Sequence, residues 1–222
     1  MTEFRPKRFR LIVFDWDGTL ADSTVIIADA IRAACGDVGA AVPDAVAARY
    51  VIGLGLADAL RHVAPALPVG RHAELAARYR YHYLARDGEI PLFDGVHELL
   101  QELDGAGFYL AVATGKSRIG LDRALRHHGL AQRFHVTRCA DEGRPKPHPD
   151  MLLHVMATTG VGGEHALMVG DTTHDLDLAR NAGAHALAVT YGAHPASELA
   201  ACMPLASVDS IAALRRWIGE NG

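Results

Sequence analysis

The feature that most limits what this chain can fold into is a short run, Leu11-Ile12-Val13-Phe14, that is apolar at every position. A strand with one wet face alternates apolar and polar residues, whereas a continuous run belongs to a strand buried on both faces. Similar runs recur at Tyr109–Ala113, Leu167–Val169 and Ala186–Val189, with a weaker one around Phe134–Val136. Between them, apolar residues fall at helical spacing over Val96–Leu103, Ile119–His128, Met151–Thr158 and Leu176–Ala182. Gly105, Gly129, Gly160 and Gly183 close these segments. Strand and helix in alternation make βαβ units. The expected fold is therefore α/β, a doubly wound parallel sheet with helices on both faces.

Residues 23–93 break that rhythm. They hold helical patterns only, at Val25–Cys35, Ala45–Val51, Leu56–Val63 and Ala73–Arg86, separated by loops with Pro43, Gly53, Gly55, Pro65, Pro68 and Gly70. Leu75, Tyr79 and Tyr83 repeat every four residues and share one helix face, which reads as a core-facing stripe. The segment predicts an all-helical insertion, dividing the chain into an α/β core (1–22 and 94–222) and a helical unit (23–93). The total of 222 residues, between one and two ordinary domains, suits that division.

Composition removes several functions. Half the residues are apolar and 22% charged, which suits a packed core. A net charge of −4 offers no electrostatic case for binding nucleic acid or an anionic membrane. No apolar run approaches the ~18 residues of a membrane span, and MTEFRPKRFR lacks an apolar leader, so the expected location is cytoplasmic. Cys35, Cys139 and Cys202 are far apart and form no CxxC pair, arguing against a disulfide framework or zinc ribbon. The 13 histidines show no HExxH and read mostly as surface or capping residues. No signal marks an interface, and the expected state is a monomer or weak homodimer.

Ligands of open α/β sheets bind beyond the carboxyl ends of the strands. The first strand leads into Asp15-Trp16-Asp17-Gly18-Thr19-Leu20 and the second into Thr114-Gly115-Lys116-Ser117. The weak third run is followed by Arg144-Pro145-Lys146-Pro147-His148-Pro149, and the fourth by Gly170-Asp171-Thr172-Thr173-His174-Asp175. Asp15 and Asp17 flank one pocket at a turn marked by Gly18, one carboxylate suited to attack and the other to proton transfer. An Asx-turn is the plainer reading of the same residues. Asp171 and Asp175 bracket a helix start. Beside Asp15 they repel unless a hard cation joins them, and all-oxygen ligands suit Mg2+. Asp175 complementing the helix dipole is the alternative.

Thr114 and Gly115 offer a hydroxyl and free amides for an anion where a helix begins, while Ser117 can simply cap it. Lys116 is placed on the rim. Lys146, stiffened by Pro145 and Pro147, suits holding phosphate or carboxylate oxygens rather than standing in solvent; the chain has only three lysines, Lys7, Lys116 and Lys146. The loop Arg49–Gly55 either reaches into the pocket, with Arg49 reading a substrate carboxylate, or merely links two helices.

In order and in strand context, DWDGTL, the threonine of ATGKS, the lysine of RPKPHPD and GDTTHD resemble the four motifs of the haloacid dehalogenase-like hydrolases. With YGAH after the fifth strand, the pattern is similar to the phosphoglycolate phosphatase-like members with a helical cap. The resemblance implies a Mg2+-dependent phosphatase acting on a small phosphoglycolate-like phosphomonoester. Asp15 would form an aspartyl-phosphate, and Asp17 would protonate the leaving oxygen and then activate water. The carboxylates of Asp15, Asp171 and Asp175 and the carbonyl of Asp17 would serve the metal, Asp175 alternatively supporting Lys146. Gly18, Thr114, Gly115 and Lys146 would hold the phosphoryl group, and the cap would cover it.

Asp17 argues against the dehalogenases, which need no such acid. The absence of lysine from 23–93 removes the Schiff-base chemistry of the phosphonate-cleaving relatives. A sugar phosphomutase or an inorganic pyrophosphatase of the family stands as the alternative. A phospho-aspartate signalling module, the remaining class, has no use for a cap or for Asp17.

Overall fold

The structure is a computed structural model and describes residues 8–222; Lys7 and most of the leader reading lie outside the described residues. Six parallel strands form one sheet: β1 (Leu11–Phe14), β2 (Tyr109–Thr114), β3 (Val136–Cys139), β4 (Ala166–Gly170), β5 (His185–Val189) and β6 (Ser207–Val208). Their spatial order is β3-β2-β1-β4-β5-β6. Phe14 is level with Val112 on β2 and with Val169 on β4. The strand order reverses on either side of β1, so the crevice of a doubly wound sheet opens at the carboxyl ends of β1, β2 and β4.

The continuous apolar runs serve both faces. Ile12, Phe14, Leu110, Val112, Leu167 and Val169 point into one core with helices α5 (Val96–Gly105), α6 (Arg118–His127) and α10 (Ile211–Asn221). Leu11, Val13, Ala111, Ala113 and Met168 point into the other, with α7 (Asp150–Thr159) and α8 (Thr173–Asn181). Leu100 of α5 is wholly buried, and its truncation to Ala costs about 2–5 kcal/mol.

Between β1 and β2 the chain forms α1 (Thr24–Asp37), α2 (Ala45–Tyr50), α3 (Leu56–Val63) and α4 (His72–Leu84), with two 3₁₀ turns. α4 packs on α1 with Leu75 fully buried. The chain leaves and re-enters the α/β layer on paired backbone: Asp22 N–H donates to Pro91 O at 3.0 Å and Phe93 N–H to Leu20 O at 3.0 Å.

β3 begins two residues beyond the start of the weak run, because it is a half-exposed sheet edge whose Thr137 and Arg138 break the apolar signal. β6, α9 (Ala196–Ala201) and α10 lie beyond the last element read from the sequence. Among the described residues no helix is long and apolar enough to cross a membrane.

Candidate active site

Asp15 is the first residue after β1, and its N–H donates to Val169 O at 2.9 Å, which ties the start of the loop to β4. Gly18 turns the loop back with φ +83°, and its N–H is taken by Ala21 O at 2.8 Å. A Cβ there would lie 2.2 Å from Asp171 Oδ2, so only glycine lets the β1 loop meet the β4 loop this closely. Asp175 is held by its helix start. Thr172 caps α8 by accepting from Asp175 N–H, while Asp175 Oδ2 accepts from Thr172 N–H at 3.1 Å and Thr172 Oγ1 at 2.7 Å, a reciprocal capping box. Asp171 Oδ1 accepts from Thr19 Oγ1 at 2.7 Å and Oδ2 from Ala193 N–H at 2.8 Å.

Asp15, Asp171 and Asp175, all fully buried, bring one oxygen each within 4.8 Å of one another. Lys146, also buried, places Nζ 2.8 Å from Asp15 Oδ1 and 2.5 Å from Asp175 Oδ1. Three carboxylates against one ammonium leave two negative charges uncompensated. Burial pushes the Asp15 carboxyl up to about 7, against the pull of Lys146 and reinforced by Asp175. Asp171 is also raised well above the carboxylate range, by burial and then by Asp15 and Asp175. For Lys146, burial alone would lower the ammonium, but the two carboxylates outweigh it and raise it.

Asp15 Oδ1 has only the Lys146 ammonium beside it, and Oδ2 has no partner, although both oxygens are buried. Buried polar atoms without partners are rare. A carboxylate with one unpartnered oxygen, beside two more in a pocket short of two positive charges, fits a hard divalent cation bound by oxygen.

Asp17 stands apart from this cluster. Its Oδ1 accepts from Ser23 Oγ at 2.8 Å, and Lys116 Nζ donates to both its oxygens at 2.9 and 3.0 Å. Lys116 Nζ also donates to Tyr83 Oη at 2.7 Å. The rim placement of Lys116 is corrected, while the buried stripe of α4 holds. Lys116 is not a rim residue: its side chain is 8% exposed and its ammonium is spent on the proposed acid. Tyr83 does lie on the buried stripe of α4, but its hydroxyl end reaches the site, which an i, i+4 pattern cannot reveal.

Thr114 is buried at the end of β2, with Oγ1 accepting from Lys116 N–H at 3.2 Å, and Ser117 caps α6 by accepting from Gly120 N–H at 3.3 Å. Gly115 lies under the loop after α2: a Cβ there would meet Leu54 O at 2.5 Å and Gly53 O at 2.6 Å. That loop is held by two histidines that the sequence reading left among surface and capping residues. His174 Nε2 and His194 Nε2 both donate to Tyr50 O, at 3.0 and 2.9 Å. Thr173 N–H donates to His194 Nδ1 at 3.1 Å, which leaves the proton on Nε2. The Tyr50 ring stacks on His194 at 5.0 Å. Arg49 sits in the last turn of α2 and is exposed.

A profile of the haloacid dehalogenase-like hydrolases matches residues 12–189, and the chain belongs to that family. It is 39% identical over 206 residues to the probable phosphatase IndB of Dickeya dadantii, covering 90% of this chain and 89% of that one. It is 33% identical over 219 residues to a phosphoglycolate phosphatase of Vibrio vulnificus, with 94% and 95% covered. The crystal structure of a predicted phosphatase from Clostridium acetobutylicum superposes with a TM-score of 0.85 at 25% identity, over 96% of this chain and 99% of the other. Within the family the chain falls in the phosphoglycolate phosphatase-like group, and its fold and relatives make it a phosphatase.

Proposed function

We propose that the chain is a Mg2+-dependent phosphatase of small phosphorylated metabolites, working through an aspartyl-phosphate on Asp15. The observation that carries this is the buried Asp15 carboxylate, with Oδ2 unpartnered and Oδ1 against Lys146, beside two further carboxylates at the switch point of the sheet. Asp15, Asp171 and Asp175, with the carbonyl of Asp17, would hold the ion, which supplies positive charge against the phosphoryl oxygens and the two surplus negative charges.

An Asp15 oxygen attacks phosphorus and the bond from phosphorus to the leaving oxygen breaks. Asp17 gives that oxygen its proton. Water then attacks phosphorus, Asp17 takes the water's proton, the acyl-phosphate bond breaks, and phosphate and free Asp15 remain. Thr114 and Lys146 hold the phosphoryl oxygens as charge spreads over them. Residues 23–93 act as a cap. In the observed arrangement Asp15 is 0% exposed, so a substrate enters only when the loop held at Tyr50 lifts away, hinging where Leu20–Asp22 pairs with Pro91–Phe93.

The test is phosphate release by the purified chain from a panel of monoesters, with Mg2+ and with a chelator. Release that needs the metal and vanishes in Asp15→Asn is expected; no release from any monoester overturns the proposal. Interconversion of sugar phosphates with little free phosphate would point to a mutase instead.

A further inference from the structure

Beside the proposed acid lies a cleft of about 400 Å³ that opens to solvent, with Lys146 and the three clustered carboxylates not among its lining residues. Asp17 and Trp16 line its inner end. One wall comes from the 23–93 segment, with Tyr83, Asp87 and Gly88; the other comes from α6, with Arg123, His127 and His128. Arg123 and Asp87 are joined by a short ion pair across the two walls. Because Asp17 is the group that protonates the leaving oxygen, a cavity starting at Asp17 is where the rest of the leaving group goes. This step rests on the phosphatase reading above.

The size and lining say what that leaving group is. A cavity of ~150 Å³ accepts a six-atom ring. A two-carbon acid such as glycolate has five heavy atoms and would leave most of 400 Å³ to water. A ring with its substituents would fill it. The only lysine or arginine among the lining residues, Arg123, already faces Asp87. The two carboxylates there are paired as well, Asp87 with Arg123 and Asp17 with Lys116, so an anionic leaving group finds no free cation among the lining residues. What the walls do offer is aromatic surface and hydrogen bonding. The Trp16 and His128 rings lie 6.1 Å apart and His127 and His128 4.7 Å apart, and indole, imidazole and phenol side chains suit an uncharged polyhydroxyl ring with apolar C–H faces. Arg49, the residue placed by sequence to read a carboxylate, is exposed on α2 and is not among the lining residues.

We propose that this cleft is the leaving-group pocket and that it takes an uncharged sugar ring, so that the substrate is a phosphosugar, free or as part of a nucleotide.

The test compares kcat/KM of the full chain with Mg2+ on acetyl phosphate, 2-phosphoglycolate, a hexose 6-phosphate, ribose 5-phosphate and a nucleoside 5′-monophosphate. Two variants narrow the cleft without touching the catalytic groups. Gly88→Leu is one, since a Cβ there meets nothing within 4 Å; Ala124→Leu, on the α6 wall, is the other. The wild type is expected to favour the ring-bearing substrates over phosphoglycolate by about a hundredfold. Either variant should raise KM for them by about tenfold while leaving acetyl phosphate unchanged. Preference for free sugar phosphates means that the ring alone fills the cleft; preference for the nucleotide means that the base enters too. Turnover of acetyl phosphate and phosphoglycolate with the sugar phosphates and nucleotide untouched overturns this inference alone, as does an equal loss on all substrates in folded variants. Release from no donor, acetyl phosphate included, overturns the phosphatase reading and this inference with it.

Discussion

Replacing Asp171 by Asn should make the metal-free protein more stable and the Mg2+-bound protein less responsive. Asp171 places an oxygen within 4.8 Å of oxygens on Asp15 and Asp175. At an effective dielectric near 20, each like-charged pair at that distance repels by about 3 kcal/mol. The carboxamide removes the charge but keeps one acceptor, so either the bond from Thr19 Oγ1 or that from Ala193 N–H is lost, at about 1–3 kcal/mol. With both pairs relieved and one hydrogen bond lost, the balance in chelator at pH 8 is a gain of about 4 kcal/mol, or roughly 12 °C in Tm for a chain of this length. Mg2+ reverses the order. A ligand at a hundred times its Kd stabilises the wild type by about 2.7 kcal/mol, and the variant, short of one charge, gains less. Thermal melts of both proteins in chelator and in Mg2+ check this. A variant less stable than wild type in chelator, or a wild type whose Tm ignores Mg2+, would refute the reasoning.

The raised Asp15 carboxyl predicts a pH effect on the metal-free fold. Burial favours its neutral form, so its contribution is fully present below the ordinary value of 3.8 and is lost as pH rises through about 7; Asp15→Asn should remove that part of the decline in melts across this window. Lys146→Met leaves buried carboxylates unpaired and should cost about 3–5 kcal/mol, read as a fall in denaturant midpoint at constant slope; an unchanged midpoint would mean that the ammonium is not compensating Asp15 and Asp175. Lys116→Met removes the bidentate contact that orients Asp17 and leaves it held only by Ser23, and the lost positioning should lower kcat by about a hundredfold on alkyl phosphates. Turnover of p-nitrophenyl phosphate, whose leaving group needs no proton, should hold; equal losses on both would show that Lys116 serves the phosphate rather than Asp17.

The strands that carry the chemistry were legible because burial on both faces leaves no choice but continuous apolar residues, as in Leu11–Phe14 and Ala166–Gly170. Their carboxyl ends then expose short polar loops in which Asp15, Thr114 and Asp171 stand out, and Lys146 stood out because lysine is rare in this chain. What escaped depends on distance in space rather than spacing in sequence. Tyr83 has the pattern of a core residue, yet its hydroxyl accepts from Lys116 and its ring lies under the same ammonium. His174 and His194 are 20 residues apart, and nothing local says that both turn Nε2 to one carbonyl of the loop after α2. Arg49, beside the glycines of that loop, lies in the last turn of α2 and is exposed. β3 was misjudged by two residues because a sheet edge tolerates polar side chains that a central strand does not.

The central claim is that Asp15 is the nucleophile. Rapid acid quenching of the enzyme during turnover of a reactive donor such as acetyl phosphate with Mg2+, followed by mass analysis of the peptides, tests it most directly. The account predicts a phosphoryl group on the peptide containing Asp15 and its absence in Asp15→Asn. Phosphate release with no phosphorylated peptide under conditions that trap acyl phosphates, or a phosphoryl group carried by another residue, would contradict it.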